Sequence, residues 1–316
     1  MKKITPAFLF LIALTGVPAL AQEAPKVIHT EQFAKKAKDF RSYWYRGLAE
    51  MNRFEVKQSR YGELHDGESV VIFVTEDFLT DKQVKHEFGP KTNAVPAMKM
   101  LNYRRFWTGI YPYNITTAAI LPVNDKSLAK LTFTETEWCG QVFAQLNKRA
   151  GGFDVESRSY FQAEGDRDFK LAGIVTEDEL WTRLRLDPKS LPVGEFEAMP
   201  SLTYLRLNHQ EMKAYNASAQ ITSDASPAFL KGAKVNAYTI TFKDLGRSMS
   251  LYYEPTFPYR VLGFEEVAPA LFNPNGGAPQ TMTTTGVLAE SIMLDYWAKH
   301  GKDDAAYRKS FGLKPL

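Results

Sequence analysis

A single cysteine, Cys139, lies in the run Glu137-Trp138-Cys139-Gly140-Gln141 and is the first residue that chemistry would single out. A thiol nucleophile needs a base within hydrogen-bond reach and a depressed pKa. The five histidines (29, 65, 86, 209 and 300) are distant in sequence, and no spacing pairs one of them with Cys139. The plainer role is a small buried hydrophobe in a strand, since free cysteine is among the most buried residue types. Glu135 and Glu137 stand two apart, which strand alternation alone places on one face. As an acid/base pair they would suit glycoside hydrolysis, but no sugar-binding context accompanies them.

Other matches to known chemistry are incomplete. Ser127-Leu128-Ala129-Lys130 has the Ser-x-x-Lys of penicillin-recognising enzymes, without their Lys-Thr-Gly. His209-Gln210-Glu211 has the His-x-Glu of zinc deaminases, without the paired cysteines. Glu63, His65, Glu68, Glu76 and Asp77 crowd one hairpin, where a solvated turn and cross-strand pairs account for them without a metal. There is no His-Glu-x-x-His, Gly-x-Ser-x-Gly, Walker loop or dinucleotide glycine pattern. The reading is therefore non-catalytic, with no metal and no cofactor. The stretch best suited to hold a ligand is 103–113. Tyr103, Arg105, Trp107, Tyr111 and Tyr113, with Trp138, are the expected contacts, because Trp, Tyr and Arg anchor apolar pockets. Packing into the core is the competing role for these rings.

The elements that would position these residues are mostly strands. Phe54–Glu63 and Ser69–Phe78 read as a hairpin, turning at His65-Asp66-Gly67-Glu68 around the Asp-Gly dipeptide. The second arm is apolar on both alternations and should be buried on both faces. Before it, Gln32–Arg46 has helical spacing, with Thr30 placed to cap. After it come a short strand at 83–87, strands through 97–123, and a period-two run from Lys130 to Asn147. In that run Leu131, Phe133, Glu135, Glu137 and Cys139 share a face, which requires a bulge near Gly140 or a polar cavity. Strands follow at 154–164 and 166–175. Thr176 and Glu179 then form a capping box opening the clearest helix, which Asp187-Pro188 ends. Further strands are expected at 202–207, 213–222, 235–242, 248–253, 259–265 and 281–297, a loop at 272–279, and a short helix at 303–311.

The fold class is thus α+β, mostly antiparallel, with a curved sheet or open half-barrel and a few edge helices. Residues 22–316 form one β-rich domain, or two lobes (22–187 and 188–316) divided at the Pro/Gly-bearing connector. Residues 1–21 read as a cleaved secretory signal. Lys2 and Lys3 precede the apolar run Phe8–Leu14, and Ala19-Leu20-Ala21 supplies the small residues at the cleavage point. The location is then periplasmic or secreted, with no integral membrane segment after cleavage. Losing the two lysines takes the formal charge from +3 to +1, which offers no electrostatic footprint for nucleic acid. One cysteine rules out an intramolecular disulfide, so stability must come from the core, with 21 Phe, 15 Tyr and 5 Trp to build it.

Several stretches together resemble a family of exported bacterial proteins without assigned function. They are Gln58–Glu63 with Ile72–Glu76, Thr108–Tyr113, Glu137–Gln141 and Glu177–Trp181. Members are sometimes labelled Maf-type septum formation inhibitors, whose Ser-Arg-Arg-type N-terminal motif is absent here. The helix-edged β layout is also similar in outline to periplasmic lipoprotein carriers, in which a curved sheet shelters an apolar ligand. The resemblance implies no catalytic residues. The expected function is binding or carriage of an apolar or amphipathic envelope molecule or lipid. The alternatives are an envelope hydrolase using Cys139 or the Glu135/Glu137 face, and a structural partner in an envelope assembly.

Overall fold

The computed structural model describes residues 25–270 and 280–313. The expected signal at 1–21 and the loop at 272–279 lie outside the described residues. Among the described residues, seventeen strands share one sheet. The first nine are β1 (Ile28–His29), β2 (Ala49–Arg60), β3 (Glu63–Leu79), β4 (Val84–Lys85), β5 (Ala94–Thr108), β6 (Tyr111–Pro122), β7 (Lys130–Thr136), β8 (Gln141–Arg149) and β9 (Gly152–Ser159). The rest are β10 (Arg167–Ala172), β11 (Val175–Thr176), β12 (Gly194–Met199), β13 (Tyr215–Ala225), β14 (Val235–Phe242), β15 (Arg247–Tyr253), β16 (Val261–Pro269) and β17 (Thr281–Leu294). Among the described residues, five short α-helices accompany them: α1 (Thr30–Ala34), α2 (Phe40–Trp44), α3 (Glu177–Leu186), α4 (Leu202–Leu207) and α5 (Ala306–Ser310).

Antiparallel pairing runs from β10 through β9, β8, β7, β6 and β5 to β3 and β2. It crosses from β2 to β17, the last strand among the described residues, and continues through β16, β15, β14 and β13 to β12. A two-residue parallel ladder adds β11. The two ends of this line, β10 and β11, are separated by only Gly173 and Ile174. Three backbone steps reach at most roughly 11 Å, so the sheet must curl until its ends stand side by side. The result is one open, curved sheet rather than a closed barrel.

Alternation sorts the side chains. Phe54, Val56, Val71, Phe73, Met98, Met100, Phe106, Ile115 and Phe133 point inward and join one large core cluster. Helix α3 lies against this concave face, and nine of its ten residues are buried. Trp181 sets its ring edge-on to Phe54 and Phe264, with centroids 6.0 and 5.5 Å away. Its start is the expected capping box, with Glu179 Oε2 accepting from Thr176 N at 3.1 Å. Outside, Ala49, Val70, Ile72, Val74 and Ile292 pack under Phe311 near the C-terminus. From Ser69 to Val74, β3 is therefore buried on both faces, as its composition implies.

Several local expectations are corrected. The β2–β3 turn falls at Tyr61-Gly62, both at positive φ (57° and 79°), which is what a tight two-residue hairpin turn requires. Asp66 and Gly67 are ordinary strand positions opposite Lys57 and Val56. The helix expected over 32–46 is two, because Asp39 starts a second one by accepting from Ser42 N at 2.8 Å. His29 occupies the N-cap of the first, and Thr30 Oγ1 instead accepts a bond from Ser291. Residues 202–207 form a helix, not a strand, because Ser201 caps it by accepting from Tyr204 N at 3.2 Å. The run 130–147 is a hairpin, and the chain leaves the sheet at Glu137–Gly140. The bulge is not needed: Glu135 is buried with Leu131 and Phe133, and Glu137 and Cys139 line a polar cleft, the other alternative. The strand at 83–87 is reduced to Val84–Lys85, and 154–164 ends at Ser159.

Candidate functional site

The connections at Tyr61-Gly62, Gly109-Ile110, Glu137–Gly140 and Tyr160–Asp166 all fall at one end of the curled sheet, because the strands between them alternate in direction. At this end α4 delivers Arg206 into the interior. The guanidinium makes an ion pair with Glu135 of β7 and reaches Glu137 Oε1 at 3.3 Å and Glu164 Oε1 at 3.1 Å. The Glu135 contact is a close ion pair off the hydrogen-bond axis, so both Glu135 oxygens lack an aligned donor. Arg206 also stacks over Phe161, 4.1 Å from its centroid. His209, held at positive φ just past α4, places Nδ1 3.1 Å from Glu164 Oε1.

Three carboxylates around one guanidinium leave an excess of negative charge. Burial, opposed by Arg206 and reinforced by Glu137, lifts the Glu135 carboxyl to about 7. Glu164 shifts the other way: burial opposes ionisation, but bonds with His209 and Ser159 and the charge of Arg206 outweigh it.

Two cavities adjoin here, sharing Arg206 and His209 as walls. The inner one, about 330 Å³, lies between β7, β8, β9 and α4. Its floor is Phe133, Val142, Ala144, Leu202 and Leu205, and its rim carries Glu164, Arg167 and Glu211. The outer cleft, about 390 Å³, is lined by Arg60, Tyr61, Tyr111, Glu137, Cys139 and Phe161.

The residues expected to contact a ligand are split by strand alternation. Tyr103, Arg105 and Trp107 are on the outer face, where Arg105 pairs with Glu68 and lies 5.7 Å from the Trp107 ring. Arg105 and Trp107 border a separate groove of about 470 Å³. Tyr113 is inside and buried, stacked on Phe106 at 4.6 Å with its hydroxyl 2.6 Å from that of Tyr61. Tyr111 and Trp138 meet at the rim, with ring centroids 5.9 Å apart. Cys139 is exposed, not a buried strand residue, because it sits in the hairpin turn. Its backbone N–H donates to the Tyr111 hydroxyl at 2.9 Å.

Sequence reasoning missed Arg60, Arg206 and Glu164. Arg60 had a signal, since it continues the inward alternation Phe54, Val56, Gln58. Arg206 had none while its segment read as a strand. Among the described residues, no three of His, Cys, Asp and Glu converge as metal ligands would, and no helix is long and apolar enough to cross a membrane.

No family model matches the chain, and no curated protein matches it. Among solved structures, a β-barrel-like protein of a domain of unknown function from Brucella abortus is similar at TM-score 0.37 and 7% identity. The match covers 77% of this chain and 97% of that one. A likeness this slight carries no argument about activity.

Proposed function

We propose that the protein binds an apolar or amphipathic small molecule, without catalysis, in the periplasm or outside the cell. The observation that carries this reading is the inner cavity: about 330 Å³, apolar at its floor and charged at its mouth. That size and lining suit a small ligand, since binding pockets start near ~300 Å³ and are mostly apolar with a few placed polar groups. The near-neutral charge and the leader-like N-terminus support the same reading. Because α3 fills much of the concave face, the site takes a small molecule rather than a ligand sheltered along the whole sheet.

The test is native mass spectrometry of protein purified from its own cell envelope, with Ala144→Trp to fill the cavity. A small amphiphile bound one-to-one in the wild type and lost in the variant, with unchanged circular dichroism, is expected. Wild-type protein that carries nothing and takes up neither decanol nor decanoate when offered them would overturn the reading.

A second reading, the envelope hydrolase, is favoured by one observation: Cys139 is exposed in a cleft beside Glu137 and His209. Its check is the pH dependence of alkylation by iodoacetamide. A thiol pKa well below the ordinary ~8.5 supports a nucleophile, and an ordinary value dismisses it.

A further inference from the structure

The outer cleft contains a buried cation that makes no ion pair among the described residues. Arg60 is only 9% exposed, and among the described residues no carboxylate forms an ion pair with it. Its Nη1 donates to the Leu207 carbonyl, its carbon lies 4.4 Å from the Tyr61 ring centroid and 5.5 Å from that of Tyr113, and Nε has no partner. The side chain is thus fixed by a carbonyl and two rings rather than neutralised. Glu135 feels its charge, but the contact ion pairs of Glu135, Glu137 and Glu164 are made with Arg206. Burying a guanidinium away from water without a matching charge is costly, and the cost falls if a ligand brings the anion.

We propose that Arg60 binds the carboxylate head of an aliphatic acid whose chain enters the cavity floored by Phe133, Val142 and Ala144. This rests on the binding reading above and names its ligand class. The two cavities share Arg206 and His209, so a head in one adjoins a tail in the other. A monoanion is preferred to a dianion, because Glu137 lines the same cleft and opposes a second charge. Planar guanidinium and planar carboxylate also match in two parallel hydrogen bonds.

The experiment compares decanoate, decanol and decyl phosphate by isothermal titration against wild type, Arg60→Gln and Arg60→Lys. Wild type is expected to bind decanoate at least about tenfold tighter than decanol, the scale of one charge-assisted contact. Arg60→Gln should erase that preference, and Arg60→Lys should restore part of it. Equal wild-type affinities for decanoate and decanol would overturn the assignment of the head while leaving the binding reading intact. Preference for decyl phosphate would overturn the carboxylate assignment. Binding of none of the three would remove both. The wild-type comparison needs no variant, so the proposal stays testable even if Arg60→Gln misfolds.

Discussion

Glu50 and Arg185 are both fully buried, and they join β2 to the central helix. Arg185 Nη2 donates to Glu50 Oε2 at 2.7 Å, while Asn52 and Tyr43 donate to the same carboxylate. Removing one member strands the other, so Arg185→Met is expected to lower unfolding free energy by about 3–5 kcal/mol in urea titration. A double Glu50→Gln/Arg185→Met variant should recover part of that loss. Burial pushes the Glu50 carboxyl up, but the charge and hydrogen bonds of Arg185 outweigh it and hold it below the ordinary 4.5. This contribution is complete above the unfolded carboxyl's pKa and is lost as pH falls through the folded value. Glu135 and Asp178 act in the opposite sense, because burial lifts both to about 7. Each keeps its proton in the folded state where the unfolded chain has released it. Their joint effect lowers stability as pH rises from the ordinary carboxyl range to about 7, and is flat above that. Asp178→Asn should flatten part of this slope in urea titrations between about pH 5 and pH 8.

At the scale of elements, the β16–β17 pair shows how the sheet holds its helix. Phe264 lies directly opposite Gly286, and a Cβ on that glycine would come within 2.1 Å of the Phe264 ring. The ring lies across the bare backbone and meets Trp181 of α3 from there. Gly286→Ala must displace the ring, so a loss of about 1–3 kcal/mol is expected by thermal or urea unfolding, the usual cost of overpacking. This partnership was not legible in the chain, because a glycine among threonines reads only as a weak strand position. What was legible followed period two and helix caps: the doubly buried β3, the capping box of α3, and the strand reading of 281–297, which holds as far as Leu294. What failed depended on tertiary choice. Asp66-Gly67 is a good turn dipeptide, yet the inward series ending at Gln58 and Arg60 sets a register that turns at Tyr61-Gly62 instead. Leu202–Leu207 has strand-like composition, and only the Ser201 cap and its place inside the curve make it helical. The candidate site suffered most, since Arg206 comes from that misread segment, and its partners Glu135, Glu137 and Glu164 come from β7, a turn and a connection.

For the whole molecule, the ion pairs Glu50–Arg185 and Glu177–Arg247 anchor one helix to strands from both halves of the chain. Strands on either side of the connector at 187–193 also share one sheet through β2 and β17. We therefore expect a single unfolding transition by calorimetry and by tryptophan fluorescence, and no folded product when the chain is cut at Asp187. The β2–β17 pairing carries a further consequence in time. Phe54 faces Leu288, so a strand made among the first must wait for one made last. Until then β2 presents an open edge beside an unfinished core, the situation most exposed to mispairing and aggregation. The sheet can be completed only once Thr281–Leu294 has been made, so a chain that stops short of Thr281 is left with one edge of β2 unpaired.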